Sequence, residues 1–308
     1  VRTYDKITTL SDIDISHIRY SSFLNAIVIV YSNANIDILY NDETVYNITD
    51  FKNKQLPDKT INNVDIQGNV AYLSTSFGVV VLDLENLEFD NTFNTGLNTT
   101  ATCLFKDRLY TATKSGLYYC EAGNNMLDKG NWKKLHSNAL KALAGDDDKL
   151  YCLASDGKLL EVVPETNTLR MIDSGDNYSY LYRDADGFVV ISANRIMRLE
   201  GGSTTRLCDV KEKYGFILKD KDTYWCCSGY GGLVESAIEN NAVVAKGLPL
   251  IPNSPIRNYC EFMKFSDTGK LLVAGGNINY FDNLFYNGTL MEYHSDGDKW
   301  VNFPEDTI

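Results

Sequence analysis

Apolar and polar residues alternate in short runs along this chain, and small clusters of Gly, Asn, Asp and Ser separate the runs. The clearest instance is Gln67 to Phe89, QGNVAYLSTSFGVVVLDLENLEF. A polar turn at Gly68 and Asn69 leads into Val70–Leu73, small residues from Ser74 to Gly78 lead into Val79–Leu82, and an acidic turn at Asp83–Asn86 follows. Apolar, β-branched and aromatic runs this short, bounded by turn formers and too close together to admit a helix, predict an antiparallel β-meander. The unit recurs seven times, over about 11–50, 59–95, 97–136, 138–173, 176–209, 212–247 and 256–304. Corresponding second strands begin near residues 27, 70, 109, 150, 188, 223 and 271, a period in the range of propeller blades.

A lone four-stranded blade cannot bury both of its faces, so repeated blades pack face to face, and a closed ring removes open sheet edges. The expected fold is therefore all-β, a single seven-bladed β-propeller of four-stranded antiparallel blades over 1–308, with almost no helix. Residues 1–5, VRTYD, resemble the last strand of a unit, as in Thr44–Ile48 and Phe89–Phe93. They read either as the closing strand that pairs the two chain ends in the last blade or as the stub of an upstream blade.

Composition narrows the function more than the fold. With 29 Lys and Arg against 41 Asp and Glu, the net charge of −12 argues against general nucleic-acid binding and against attraction to anionic membranes. No apolar run is long enough to span a bilayer as a helix. The seven cysteines form no CxxC pair and no zinc-type spacing with histidine, and most lie in apolar strand runs such as Tyr151-Cys152-Leu153. They are expected as buried free thiols, and their odd number leaves at least one unpaired within the chain.

Candidate chemistry is sparse. The histidines, His17, His136 and His294, sit in no HExxH, and no GxSxG, Walker A or GxGxxG pattern occurs. The run Asp184-Ala185-Asp186-Gly187 resembles the start of a calcium loop, but Arg195 stands where the closing Glu belongs. Like Asp146–Asp148 and Asp296–Asp298, it reads as hairpin turn chemistry. The expectation is a non-catalytic module without metal or cofactor. One connection departs from repeat length: Gly275 to Gly288, GGNINYFDNLFYNG. It carries Tyr280, Phe281, Phe285 and Tyr286, and long loops on a rigid scaffold often carry binding. These four aromatics, with Arg257 as a cationic neighbour in the same unit, form the candidate binding site for a glycan or a partner protein; a plug over the loop's own channel is the alternative.

The runs TYDKITTLSDIDISHIRY (3–20), NVAYLSTSFGVVVLDL (69–84), PIRNY (255–259) and KLLVAGG (270–276) resemble the N-terminal propeller of PorZ-like proteins of the type IX secretion system. They are similar also to the two-component regulator propellers of hybrid histidine kinases. The resemblance implies a location in the periplasm or at the cell surface of a Gram-negative bacterium. It further implies an envelope protein, glycan or lipopolysaccharide as partner, no nucleic acid, and further domains of the parent chain after Ile308. The alternative it leaves is a periplasmic ligand-sensing propeller of a hybrid two-component histidine kinase.

Overall fold

Strand formation follows the alternation. In Val70–Thr75, Ala71 and Leu73 are fully buried, while Val70 and Tyr72 are only partly covered and pack on a different neighbour. The computed structural model describes residues 4–6, 8–184, 186–200, 202–209, 216–227, 232–251, 253–256, 260–275, 289–296 and 299–303. Among them are 28 strands, one four-residue helix and one short 3₁₀ turn. The chain divides into two compact units, Val1–Leu248 and Pro249–Ile308.

In the first unit the strands follow one another as four-stranded antiparallel meanders. The first holds β1 (Ile15–Ser21), β2 (Ala26–Tyr31), β3 (Ile36–Tyr40) and β4 (Val45–Ile48); α1 (Asp50–Asn53) follows. The second holds β5 (Ile61–Gln67), β6 (Val70–Thr75), β7 (Gly78–Asp83) and β8 (Glu88–Phe93). Next come β9 (Thr99–Phe105), β10 (Arg108–Thr113), β11 (Gly116–Glu121) and β12 (Lys133–His136), then β13 (Leu140–Gly145), β14 (Leu150–Ala154), β15 (Leu159–Val163) and β16 (Thr168–Asp173). Each of these four meanders is a separate sheet. The next two, β17 (Tyr180–Asp184), β18 (Gly187–Ile191), β19 (Arg195–Glu200), β20 (Ser203–Asp209) and β21 (Phe216–Asp220), β22 (Thr223–Cys227), β23 (Leu233–Glu239), β24 (Ala242–Ala245), share one eight-stranded sheet. The cause is local: the Asp209 amide donates to the Asn241 carbonyl at 2.7 Å, and Asp209 pairs in parallel with Ala242. The second unit holds one further four-stranded sheet, β25 (Cys260–Phe265), β26 (Leu271–Gly275), β27 (Thr289–His294) and β28 (Lys299–Phe303).

The apolar cores of the first unit lie between consecutive sheets. Ala26, Val28 and Ile36 meet Ala71, Leu73 and Val80 between the first two, and Phe51 of α1 joins them, with Phe77 and Phe89 against its ring. Val79, Val81 and Phe93 meet Leu109 between the second and third; Cys103, Tyr110 and Leu117 meet Leu150 and Cys152 between the third and fourth. Tyr151 and Phe188 meet edge-on, centroids 4.9 Å apart, between the fourth and fifth. This is the face-to-face stacking that a repeated meander needs to bury both faces. Five cysteines fill buried positions; Cys227 and Cys260 are exposed, against expectation, and all seven are free thiols.

Turn chemistry repeats with the sheets. Thr75 and Thr113, each ending the second strand of its meander, donate a side-chain hydroxyl to the carbonyl of the glycine three residues on, Gly78 at 2.9 Å and Gly116 at 2.8 Å. Both glycines have φ in the region that favours glycine, +150° and +136°. A Cβ would meet Phe93 O at 2.1 Å or His136 O at 1.8 Å, carbonyls of the adjacent outer strand of the same sheet.

Polar side chains join the innermost strands. Arg19 Nε donates to Val64 O at 2.8 Å, and His17 Nε2 lies 3.0 Å from Asn62 O, so β1 reaches the free edge of β5. Asn62 Nδ2 and Gln67 Nε2 then donate to Thr99 O and Leu104 O, and Thr100 Oγ1 to Leu140 O. Lys141 Nζ donates to Tyr178 O, while the Tyr182 hydroxyl donates to Ile217 O and accepts from Ile217 N. Carbonyls at the edge of one sheet thus find partners in the preceding one, which a buried backbone oxygen requires.

The chain's entry is pinned by two buried acids. Asp12 accepts from Lys52 Nζ at 2.6 Å and Asn33 Nδ2 at 2.5 Å, and these bonds hold its carboxyl well below the ordinary range. Asp37 accepts from the Tyr31 hydroxyl at 2.6 Å and the Ser11 amide at 2.8 Å. Tyr4 packs with Leu10 on Ile29, Tyr31 and Leu39 of the first sheet. Of the expected closing strand, residues 1–3 lie outside the described residues, and Tyr4 and Asp5 are not in a strand.

Candidate functional site

The aromatic candidates Tyr280, Phe281, Phe285 and Tyr286, and the cation Arg257, lie outside the described residues. The strands that flank the insertion are paired, Gly275 opposite Thr289, so the insertion is the hairpin connection between β26 and β27. Two of the three acidic turns bond to neighbouring side chains or backbone, and Gly297 and Asp298 of the third lie outside the described residues. Asp184 accepts both guanidinium ends of Arg198, at 2.9 and 3.0 Å, and Asp186 accepts Lys219 Nζ at 2.7 Å. Asp146 caps its own hairpin through the amides of Asp148 and Lys149. His17 is held by its neighbours on β1 and β5, and burial pushes its pKa down, so it stays neutral near pH 7. Among the described residues no group of three His, Cys, Asp or Glu side chains is placed to hold a metal ion.

Three hairpins of the third and fourth sheets enclose a cleft of about 370 Å³. The β9–β10 turn contributes Lys106, the β13–β14 turn Asp148 and Lys149, and the β15–β16 turn Pro164 and Glu165, while Glu161 and Arg170 come from β15 and β16. The β9–β10 turn is a two-residue hairpin with φ of +45° at Lys106 and +59° at Asp107, the geometry that matches the strand twist. Glu161 is the centre of the cleft's electrostatics. It is opposite Arg170 in the β15–β16 register, and its carboxylate, 5% exposed, accepts Lys149 Nζ at 2.5 Å and Arg170 Nε at 2.9 Å. Burial pushes its pKa up, but the hydrogen bonds from Lys149 and Arg170 outweigh that and hold it below the ordinary value. Across the cleft Lys106 Nζ meets Glu165 at 3.1 Å, and Arg108 crosses from the third sheet to Pro164 O at 3.1 Å and Asn167 Oδ1 at 2.9 Å. The sequence carried a signal for this site: Glu161 interrupts the apolar run Leu159–Val163, and Arg170 stands one hairpin away.

This stack of meanders has relatives of known kind. Residues 1–133 match the family model of the N-terminal β-propeller domain of PorZ, of the type IX secretion system. Over its whole length the chain is similar to the solved structure of PorZ from Porphyromonas gingivalis, an essential bacterial surface component of that system. The identity is 27% and the TM-score 0.79, over 99% of this chain and 41% of PorZ. The chain thus spans about two fifths of that PorZ chain. The extracellular domain of the putative hybrid two-component system BT3049 from B. thetaiotaomicron is similar in fold, with TM-score 0.57 and 12% identity over 99% of this chain and 48% of that one. The WD40 repeats of RRP9 share the fold at TM-score 0.56 and 10% identity, over 88% and 94%. None of the curated protein sequences compared matches the chain. No helix among the described residues is long and apolar enough to cross a membrane.

Proposed function

We propose that this chain is a non-catalytic propeller module of the bacterial envelope, similar in role to the N-terminal propeller of PorZ, and that it binds a surface glycan, lipopolysaccharide or partner protein. The observation that carries this reading is the likeness to PorZ along 99% of the chain at 27% identity, with the family match over residues 1–133 in support. The reading includes a single seven-bladed ring built from the seven sequence units. Binding is through loops at one end of the ring, where Tyr280, Phe281, Phe285, Tyr286 and Arg257 contribute contact area. Rigid aromatics bury much surface and lose little entropy on binding. The test is to replace Tyr280, Phe281, Phe285 and Tyr286 with Ser together, then measure binding of purified lipopolysaccharide and capture of envelope proteins beside thermal stability. Lost binding with an unchanged melting temperature supports the loop as the site; retained binding removes it.

A second reading, a periplasmic sensor domain of a hybrid histidine kinase, draws on the fold likeness to BT3049 at 12% identity. The parent gene separates the two. Continuation after Ile308 into a second propeller and a sorting domain favours the first, and a membrane-spanning helix followed by a kinase favours the second.

A further inference from the structure

The cleft around Glu161 has polar groups that differ in how much bonding capacity they have left. Glu161 is filled: one oxygen takes Lys149 and the other takes Arg170 through Nε and Nη2. Its partners are not. An ammonium has three N–H donors and a guanidinium five, and the bonds to Glu161 use one and two of them. Both side chains remain about half exposed, at 45% and 55%, and both line the cavity. On the opposite rim Lys106 is tied to Glu165, an ion pair exposed enough to exchange partners at little cost. Phe105, Val162 and Pro164 also line the cleft, and Lys106 Nζ lies 5.3 Å from the centre of the Phe105 ring.

We propose that the cleft takes the oxyanion group of a small molecule, a carboxylate or a phosphate monoester. The ligand's anion displaces the Glu165 carboxylate from Lys106 and accepts the remaining donors of Lys149 and Arg170. Glu165 is the built-in competitor, because it is the acid that a bound anion has to replace. Glu161 stays in place and keeps the two cations aimed. This site goes beyond the envelope-module reading and does not depend on it, since it lies on β9–β16 and involves none of the loop aromatics.

The test uses the whole isotope-labelled chain at low salt, titrated with inorganic phosphate and, separately, with citrate, while the backbone amides of Lys106, Lys149, Glu165 and Arg170 are followed by NMR. Saturable shifts at these amides are expected with at least one of the two anions, and which one identifies phosphate or carboxylate as the group recognised. Glu165→Gln should tighten binding at least threefold and Lys106→Gln should weaken it at least threefold, with melting temperatures unchanged because both side chains are exposed. A residue that only braced the fold would not raise affinity when its charge is removed. The proposal is overturned if neither anion gives saturable shifts at the cleft, or if Glu165→Gln leaves the affinity unchanged or lowers it. Either result leaves the lipopolysaccharide and partner assays of the envelope reading untouched.

Discussion

Gly116 shows how a single residue is fixed by its surroundings. A Cβ there would lie 1.8 Å from the His136 carbonyl, and the backbone φ of +136° already disfavours any other residue. Gly116→Ala should therefore lower unfolding free energy by at least about 2 kcal/mol in urea titration, well beyond the usual effect of losing backbone freedom. Asp65 is a second case, and its effect depends on pH. It accepts one hydrogen bond from Gln67, at 3.0 Å, and faces Arg19, Tyr72 and Cys103 in the seam between β5 and β9. Burial pushes its carboxyl up to about 6. The folded state then holds a proton that the unfolded chain releases, so stability falls as pH rises from about 4 to about 6 and stays lower above that. Asp65→Asn should stabilise the protein by about 2 kcal/mol at pH 7.5 and have no such effect at pH 3.5, read from melting curves at the two values. Neither behaviour was legible in the sequence. Gly116 is one small residue at the start of a strand, and Asp65 shares its face with polar neighbours, Asn63 and Gln67, as an exposed strand residue would.

At the scale of elements, much was legible. The strands at Ala26–Tyr31, Ile36–Tyr40, Val45–Ile48 and Leu150–Ala154 stand out in the chain as short apolar runs between turn formers, and they are strands with those bounds. The joining of the fifth and sixth meanders was not legible, because it rests on one short parallel pairing, Asp209 with Ala242, between strands far apart in the chain. The cleft was only half legible: Glu161 is conspicuous among aliphatic neighbours, but its partner Lys149 and the opposing Lys106 sit in ordinary turns. Bonds between inner strands give an element-level test. Thr100→Val removes the donor to Leu140 O and Tyr182→Phe removes the hydroxyl that bridges Ile217. Each should cost about 1–2 kcal/mol, since a backbone group is left without its partner. The two lie in different seams and share no residue, so the double variant should equal their sum within about 0.5 kcal/mol.

For the whole molecule, burial grades from the middle strands outward. All of β14 is buried, whereas β16 has no buried residue. Native-state hydrogen exchange should accordingly be slowest in β2, β6, β10 and β14 and fastest in the outer strands β8, β12 and β16, because exchange follows local opening. A flat profile across each meander would contradict this gradient. The links between inner strands carry a different kind of consequence. His17 with Asn62, Asn62 with Thr99, Thr100 with Leu140 and Lys141 with Tyr178 are separated by 45, 37, 40 and 37 residues, each close to one repeat. A segment one repeat long therefore contains both a donor for its successor and an acceptor for its predecessor. Duplicating such a segment in the gene copies plug and socket together, so an array of this design can lengthen or shorten by whole units without new pairings having to be invented.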